Sequence, residues 1–276
     1  MFSNLDQISL LVILFSLCLG GFTKGVISWG FPVISLPILT IVLPPASALF
    51  LLFFPIIFAN IREINFKSLD SYKKLIPFSI GIFSGILIGS YIFHNTKSEI
   101  ISIAIGITII IFAFINYKGV KINETLVYNK LFALVYGLFS GVIGGMTTVL
   151  GPLMIIYLVS LNLSKEKFSQ NVSFLVFATL IPLYLMFFIY QKVVTNDFIV
   201  TFLALIPAML MQYLGLKIRD KIPQQIFKNL TLIFLTFIGL LVLYKNLPFN
   251  IFKSSYFLNL KLDLQADLIF LEFIEL

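Results

Sequence analysis

The sequence predicts an all-α polytopic membrane protein of about ten hydrophobic segments, arranged as an inverted 5 + 5 repeat with Gly/Pro-interrupted hairpins. Three observations lead there: the composition, the placement of Lys and Arg, and a Gly/Pro-rich motif that occurs twice. Of 276 residues, 59% are hydrophobic and 11% charged, and the mean hydropathy is +1.06. So few charges cannot cover the surface of a soluble protein of this length. Apolar stretches of about 20 residues match the thickness of a bilayer instead.

In chain order the apolar segments run over residues 8–24, 27–43, 45–61, 75–93, 98–115, 131–145, 148–161, 169–190, 198–216 and 226–246. The third, fourth, fifth, eighth, ninth and tenth approach the length of a straight span. The first and second are interrupted by Gly and Pro where they meet. The sixth and seventh are short and are interrupted in the same way. The opening MFSNLDQISL has no positive n-region, and no small-residue cleavage site follows its apolar run, so it reads as a retained first span. Cys18 is the single cysteine, which rules out an internal disulfide. His94, beside Asn95 at a span end, reads as an interfacial residue.

The positive charges fall in alternate loops. Arg62, Lys67, Lys73 and Lys74 form one group; Lys118, Lys121 and Lys130 a second; Lys165 and Lys167 a third; Lys217, Arg219, Lys221 and Lys228 a fourth. The intervening loops hold only Lys97 and Lys192. Lys and Arg stay in cytoplasmic loops, so these four groups are expected inside and the N-terminus outside, in the cell membrane. Ten segments return the C-terminus to the outside, and the late Lys245, Lys253 and Lys261 oppose this only mildly. The net charge of +7 then marks membrane orientation and not a nucleic-acid partner.

The doubled motif is KGVISWGFPVISLPIL from Lys24 and SGVIGGMTTVLGPLMI from Ser140. Gly25-Val26-Ile27 aligns with Gly141-Val142-Ile143, and Pro37 with Pro152 after one skipped residue. By the charge pattern the first copy begins outside and the second inside. Five segments separate equivalent points, and an odd number inverts orientation. Inverted repeats of this kind mark secondary transporters, whose sites lie where interrupted helices of the two halves meet. The expected units are residues 1–121, residues 122–246, and a tail, 247–276, which is too charged for an eleventh span and has no assigned function.

Gly and Pro free backbone groups from the helical ladder, which lipid does not tolerate but a protein-lined cavity does. Free N–H groups at a helix N-terminus favour an anion. The alternative for any single Gly is close helix packing. No acidic residue falls in the middle of a segment, and Lys24 is the only basic residue near the first hairpin. A positive charge without a carboxylate partner points to an anionic substrate, the competing reading being a side chain that snorkels to the interface. The chain lacks ligand sets for zinc, haem or iron–sulfur, and no Gly-x-x-x-x-Gly-Lys-Ser/Thr loop is present; no metal, cofactor or enzymatic activity is expected.

The doubled Gly-rich hairpin ending in Pro, with its Lys-Gly start, resembles the TauE/SafE family of sulfite-exporter-like permeases over about residues 8–246. LFFPIIFANIREI, with Asn60 near the inner end, adds to the likeness. The chain departs from the family pattern at Ser28-Trp29-Gly30-Phe31 and at Met146-Thr147-Thr148, where denser Gly is usual. The resemblance implies transport of sulfite, sulfonates or related organosulfur anions. The competing class is a non-transporting membrane scaffold or assembly factor whose glycines only pack helices.

The site is expected near the midplane, between the hairpins at Gly20–Pro37 and Gly137–Pro152. Lys24 would supply charge, backbone N–H groups near Gly25, Gly30, Gly144 and Gly145 directional donors, and Ser28, Thr147 and Thr148 hydroxyls. The partners are a small anion and the lipid bilayer.

Overall fold

A computed structural model describes residues 6–66, 69–149, 151–191, 194–219, 221 and 224–246; the tail after residue 246 lies outside them. The described residues form helices and no strand. In order they are α1 (Gln7–Ile27), α2 (Phe31–Leu39), α3 (Pro45–Leu51), α4 (Phe53–Ile61), a 3-10 segment (Leu69–Leu75), α5 (Ile76–His94), α6 (Ser98–Lys118), α7 (Glu124–Val127), α8 (Lys130–Thr147), α9 (Gly151–Ser160), α10 (Lys165–Tyr190), α11 (Thr195–Ile218) and α12 (Gln224–Asn246). Among the described residues, six helices are long and apolar enough to cross a membrane: those within α1, α5, α6, α8, α10 and α11.

One expectation about segments changes. The chain breaks where the first and second segments meet, between α1 and α2, and where the sixth and seventh meet, between α8 and α9. The third is the one that divides, into α3 and α4 around Leu52. Pro55 explains the division, because it has no N–H for the Leu51 carbonyl four residues back. The hydroxyl of Thr201 on α11 donates to that carbonyl at 2.8 Å instead, and Tyr184 on α10 donates to Leu49 O at 3.0 Å. Phe50, Phe53, Phe187, Phe188 and Phe198 stack around the division.

Glycine fails to break α1 and α8 because it serves packing there. On α1, a Cβ at Gly21 or Gly25 would overlap the Ala208 or Gln212 carbonyl of α11. Along α5, Cβ atoms at Gly81, Gly85 and Gly89 would overlap the carbonyls of Leu134, Leu138 and Val142 on α8. Gly137, Gly141 and Gly145 of α8 face Phe78, Ile82 and Ile86 of α5 in return. Small residues every fourth position let two backbones touch, which is how helices associate where lipid provides no hydrophobic drive. Residue numbers rise together in both pairs, so α1 runs parallel to α11 and α5 to α8.

α2 is buried on every side, and α9 almost so. At 9 and 10 residues they reach only about 14–15 Å, half a bilayer. Each turns back beside the end of a long helix. Ser28 and Thr148, the residues that close α1 and α8, both have left-handed backbones, φ 69° and 57°. Pro follows four residues after each, Pro32 and Pro152. Aligning Ser28 with Thr148 and Pro32 with Pro152 sets a register one helical turn away from the Gly-Val-Ile match. Gly21 and Gly25 then correspond to Gly141 and Gly145, and Lys24 to Gly144.

Candidate functional site

The sequence around Gly30 dictates a sharp reversal. Gly30 has φ +99°, a conformation that other residues seldom adopt, and Pro32 stands in the first turn of α2. The first helical bond of α2 runs from Ile34 N–H to Gly30 O at 2.9 Å. N–H groups ahead of it have no acceptor within the helix, and the dipole leaves that end positive. The start of α9 lies opposite: a Cβ on Gly151 would stand 2.5 Å from Val33 Cγ2.

Between these two tips is a cavity lined by Lys24, Trp29, Gly30, Phe31, Pro32, Val33, Asn60, Gly151, Met154, Ile155, Val172 and Val176. It is small, about 20 Å³, room for about one water. Asn60 donates its side-chain amide to Ile56 O at 2.8 Å, which leaves its amide oxygen as the acceptor end.

Lys24 is 1% exposed. Its ammonium has three protons to donate, and the protein takes all three: Ser28 O at 2.8 Å, Glu63 Oε2 at 2.8 Å and Ser173 Oγ at 3.0 Å. Glu63 Oε2 also accepts from Ser169 Oγ at 3.0 Å and Ser173 Oγ at 2.7 Å, while Glu63 Oε1 is buried with no partner. Arg219, just past α11, donates to Ser28 Oγ. The expectation of a positive charge without a carboxylate is thus corrected. Glu63 lies two residues beyond α4, and α4 brings it back beside the end of α1.

That pairing also sets the depth of the charge. Lys24 sits three residues from the end of α1, about 5 Å by helical rise. Ser169 and Ser173 belong to the first turns of α10. The ion pair therefore lies toward the end of the bundle that carries Arg62, Glu63 and Arg219, and Val176 of the cavity lining stands three residues beyond Ser173 on α10.

The sulfite exporter TauE/SafE family matches residues 12–242 of the chain. The chain belongs to this family. Comparison with curated proteins and with solved structures finds no match. Membership makes it a multi-pass membrane protein of a transporter family whose description is sulfite export.

Within this TauE/SafE chain the expected site residues divide. Lys24 and Gly30 line the cavity. Ser28 is buried beside it, its carbonyl on Lys24 and its hydroxyl on Arg219. Gly25, Gly144 and Gly145 lie inside α1 and α8, where N–H groups belong to the helical ladder, and Gly25 and Gly145 abut neighbouring helices. Thr147 donates to Ile143 O and accepts from Val149 N–H, and Thr148 donates to Thr147 O, so these hydroxyls finish α8. The sequence reading missed Glu63, Ser169, Ser173, Arg219 and the facing tip at Gly151. Ser169 and Ser173 carried a signal, two hydroxyls four residues apart on one face of an apolar helix.

Proposed function

We propose that this TauE/SafE protein is a permease for small anions, with sulfite, sulfonates or related organosulfur anions as its substrate class. One observation carries the reading: the N-terminal ends of two half-helices, α2 and α9, face each other at a cavity that Lys24 and Asn60 also line. Helix N-termini stabilise negative charge, and discontinuous helices in transporters present such ends to anionic groups. The donors are then the N–H groups at Gly30, Phe31 and Gly151, with Lys24 supplying the charge.

Alternating access fits this arrangement. With the tips together the cavity is small, and parting of the tips widens it toward one side. The inverted 5 + 5 repeat, with halves at 1–121 and 122–246, is supported by the exchange of partners: α1 with α11, and α5 with α8. The matching left-handed ends at Ser28 and Thr148 add to it. The Lys/Arg distribution supports an N-terminus outside and cell-membrane placement.

The scaffold reading draws on the glycines that pack α5 against α8. It leaves unexplained a buried Lys beside two converging helix N-termini. Purified protein in liposomes decides between them. Uptake of sulfite or methanesulfonate above that of empty vesicles supports the permease. Folded protein that moves no tested anion supports the scaffold.

A further inference from the structure

We propose that Glu63 is a proton-binding site that couples proton uptake to anion binding at Lys24, so that one proton and one anion occupy the site together. The inference rests on the permease reading and adds the coupling ion to it.

All three ammonium protons of Lys24 are committed to Ser28 O, Glu63 Oε2 and Ser173 Oγ. An anion reaches that ammonium only by displacing one of them. The carbonyl and the hydroxyl are neutral, so Glu63 is the partner whose repulsion opposes an incoming negative charge.

Charge balance supplies the coupling. With Glu63 ionised, the pair is neutral. With an anion added and Glu63 ionised, two anions compete for the one ammonium of Lys24, while Arg219 is engaged at Ser28 Oγ. Protonation forms one O–H bond on the carboxyl group and breaks only the ion pair. Lys24 keeps its charge, and the anion replaces the lost carboxylate charge. Lys24 faces one negative charge in either state, that of Glu63 when both ligands are absent and that of the anion when both are bound, and the Arg219 charge at Ser28 is the same in both.

Glu63 is suited to the exchange. Oε2 holds every hydrogen bond, while Oε1 is buried with no partner and open to a proton. The side chain keeps 13% exposure, so protons have a route. The charged groups around it are few. Lys24 faces it from α1, and Arg219 approaches from beyond α11 through Ser28. Among the described side chains of α10, Ser169 and Ser173 bond Glu63, while Glu166 bonds Gln170 at 3.1 Å. Arg62, adjacent in the chain, is exposed.

The test uses methanesulfonate, which stays anionic throughout the working pH range, and titration calorimetry of the full chain in detergent, in two buffers of different ionisation enthalpy. The expected result for the unaltered protein is affinity that rises up to about tenfold per unit fall in pH, with one proton taken up per anion. Glu63→Gln should bind methanesulfonate about tenfold tighter than the unaltered protein at neutral pH, with no proton uptake and no pH dependence. Binding by the unaltered protein without proton uptake overturns the coupling while leaving the permease reading intact, and needs no variant to be folded. Persistence of proton uptake in Glu63→Gln also overturns it. No binding of methanesulfonate or sulfite to the unaltered protein at any pH overturns the permease reading and the coupling together.

Discussion

Gly151 and Val33 meet tip to tip: a Cβ on Gly151 would stand 2.5 Å from Val33 Cγ2, so the start of α9 closes against the first turn of α2. Residues 118 positions apart in sequence thus form the gate of the proposed site. Gly151→Ala should prevent this closure. Overpacking of this kind costs about 1–3 kcal/mol, so sulfite flux in liposomes should fall by about tenfold. Val33→Ala in the same protein removes the obstructing methyl groups and should restore most of the flux. Full activity of Gly151→Ala alone would show that the tips need not meet.

Lys24→Ala leaves Glu63 ionised and buried without its partner. Breaking a buried ion pair from one side costs about 3–5 kcal/mol, so thermal unfolding in detergent should move markedly downward. Adding Glu63→Gln removes the stranded charge and should recover much of the stability. Sulfite affinity should stay at least about tenfold weaker in both proteins, because a charge-assisted contact is worth about 1.5–3 kcal/mol. Lys24→Arg should not restore it, since the planar fork does not reproduce three divergent donors. Unchanged sulfite affinity in a folded Lys24→Ala protein would remove the lysine from the site.

Thr201 holds the Leu51 carbonyl that Pro55 leaves without a helical donor. Thr201→Val keeps the shape and removes the hydroxyl, which should cost about 1–3 kcal/mol for the stranded carbonyl. Pro55→Ala returns an N–H to the ladder, so the same Thr201→Val change should cost less in that background. Equal cost in both backgrounds, measured by denaturant unfolding, would show that the hydroxyl acts elsewhere.

Gly85 touches the Leu138 carbonyl of α8, whereas Ser84, its neighbour, is exposed and bonds only Ile80 O of its own helix. Gly85→Ala should destabilise by about 1–3 kcal/mol as α5 and α8 are pushed apart. Ser84→Ala should remain within about 0.5 kcal/mol of the unaltered protein. Thermal shift in one detergent compares them, and equal midpoints would contradict the close crossing.

Reporter fusions at Asp70, Lys121 and Lys221 should all report the cytoplasm. The parallel runs of α5 with α8 and α1 with α11 require the loops before α5 and α8 to share a side. A signal from outside at any one of the three positions would break the inverted arrangement.

Composition and periodicity were enough to read a helical membrane protein, because a bilayer demands long apolar segments with their backbone groups satisfied internally. The doubled Gly/Pro motif and Lys24 were legible for the same reason: Pro, reversal and charge are costly in lipid, so their presence beside one another requires an account. What the motif could not reveal was which glycine does what. Gly25 and Gly145 look like Gly30 in the sequence, yet two pack against neighbouring backbones and one turns the chain, a difference set by φ and by the helix opposite. Glu63 was readable only as a loop residue, because ion pairing depends on distance in space and α4 must return before its carboxylate meets Lys24. The facing of Gly151 and Val33 likewise arises only when α2 and α9, neither long enough to cross a membrane, are both wedged into one interior by the long helices around them.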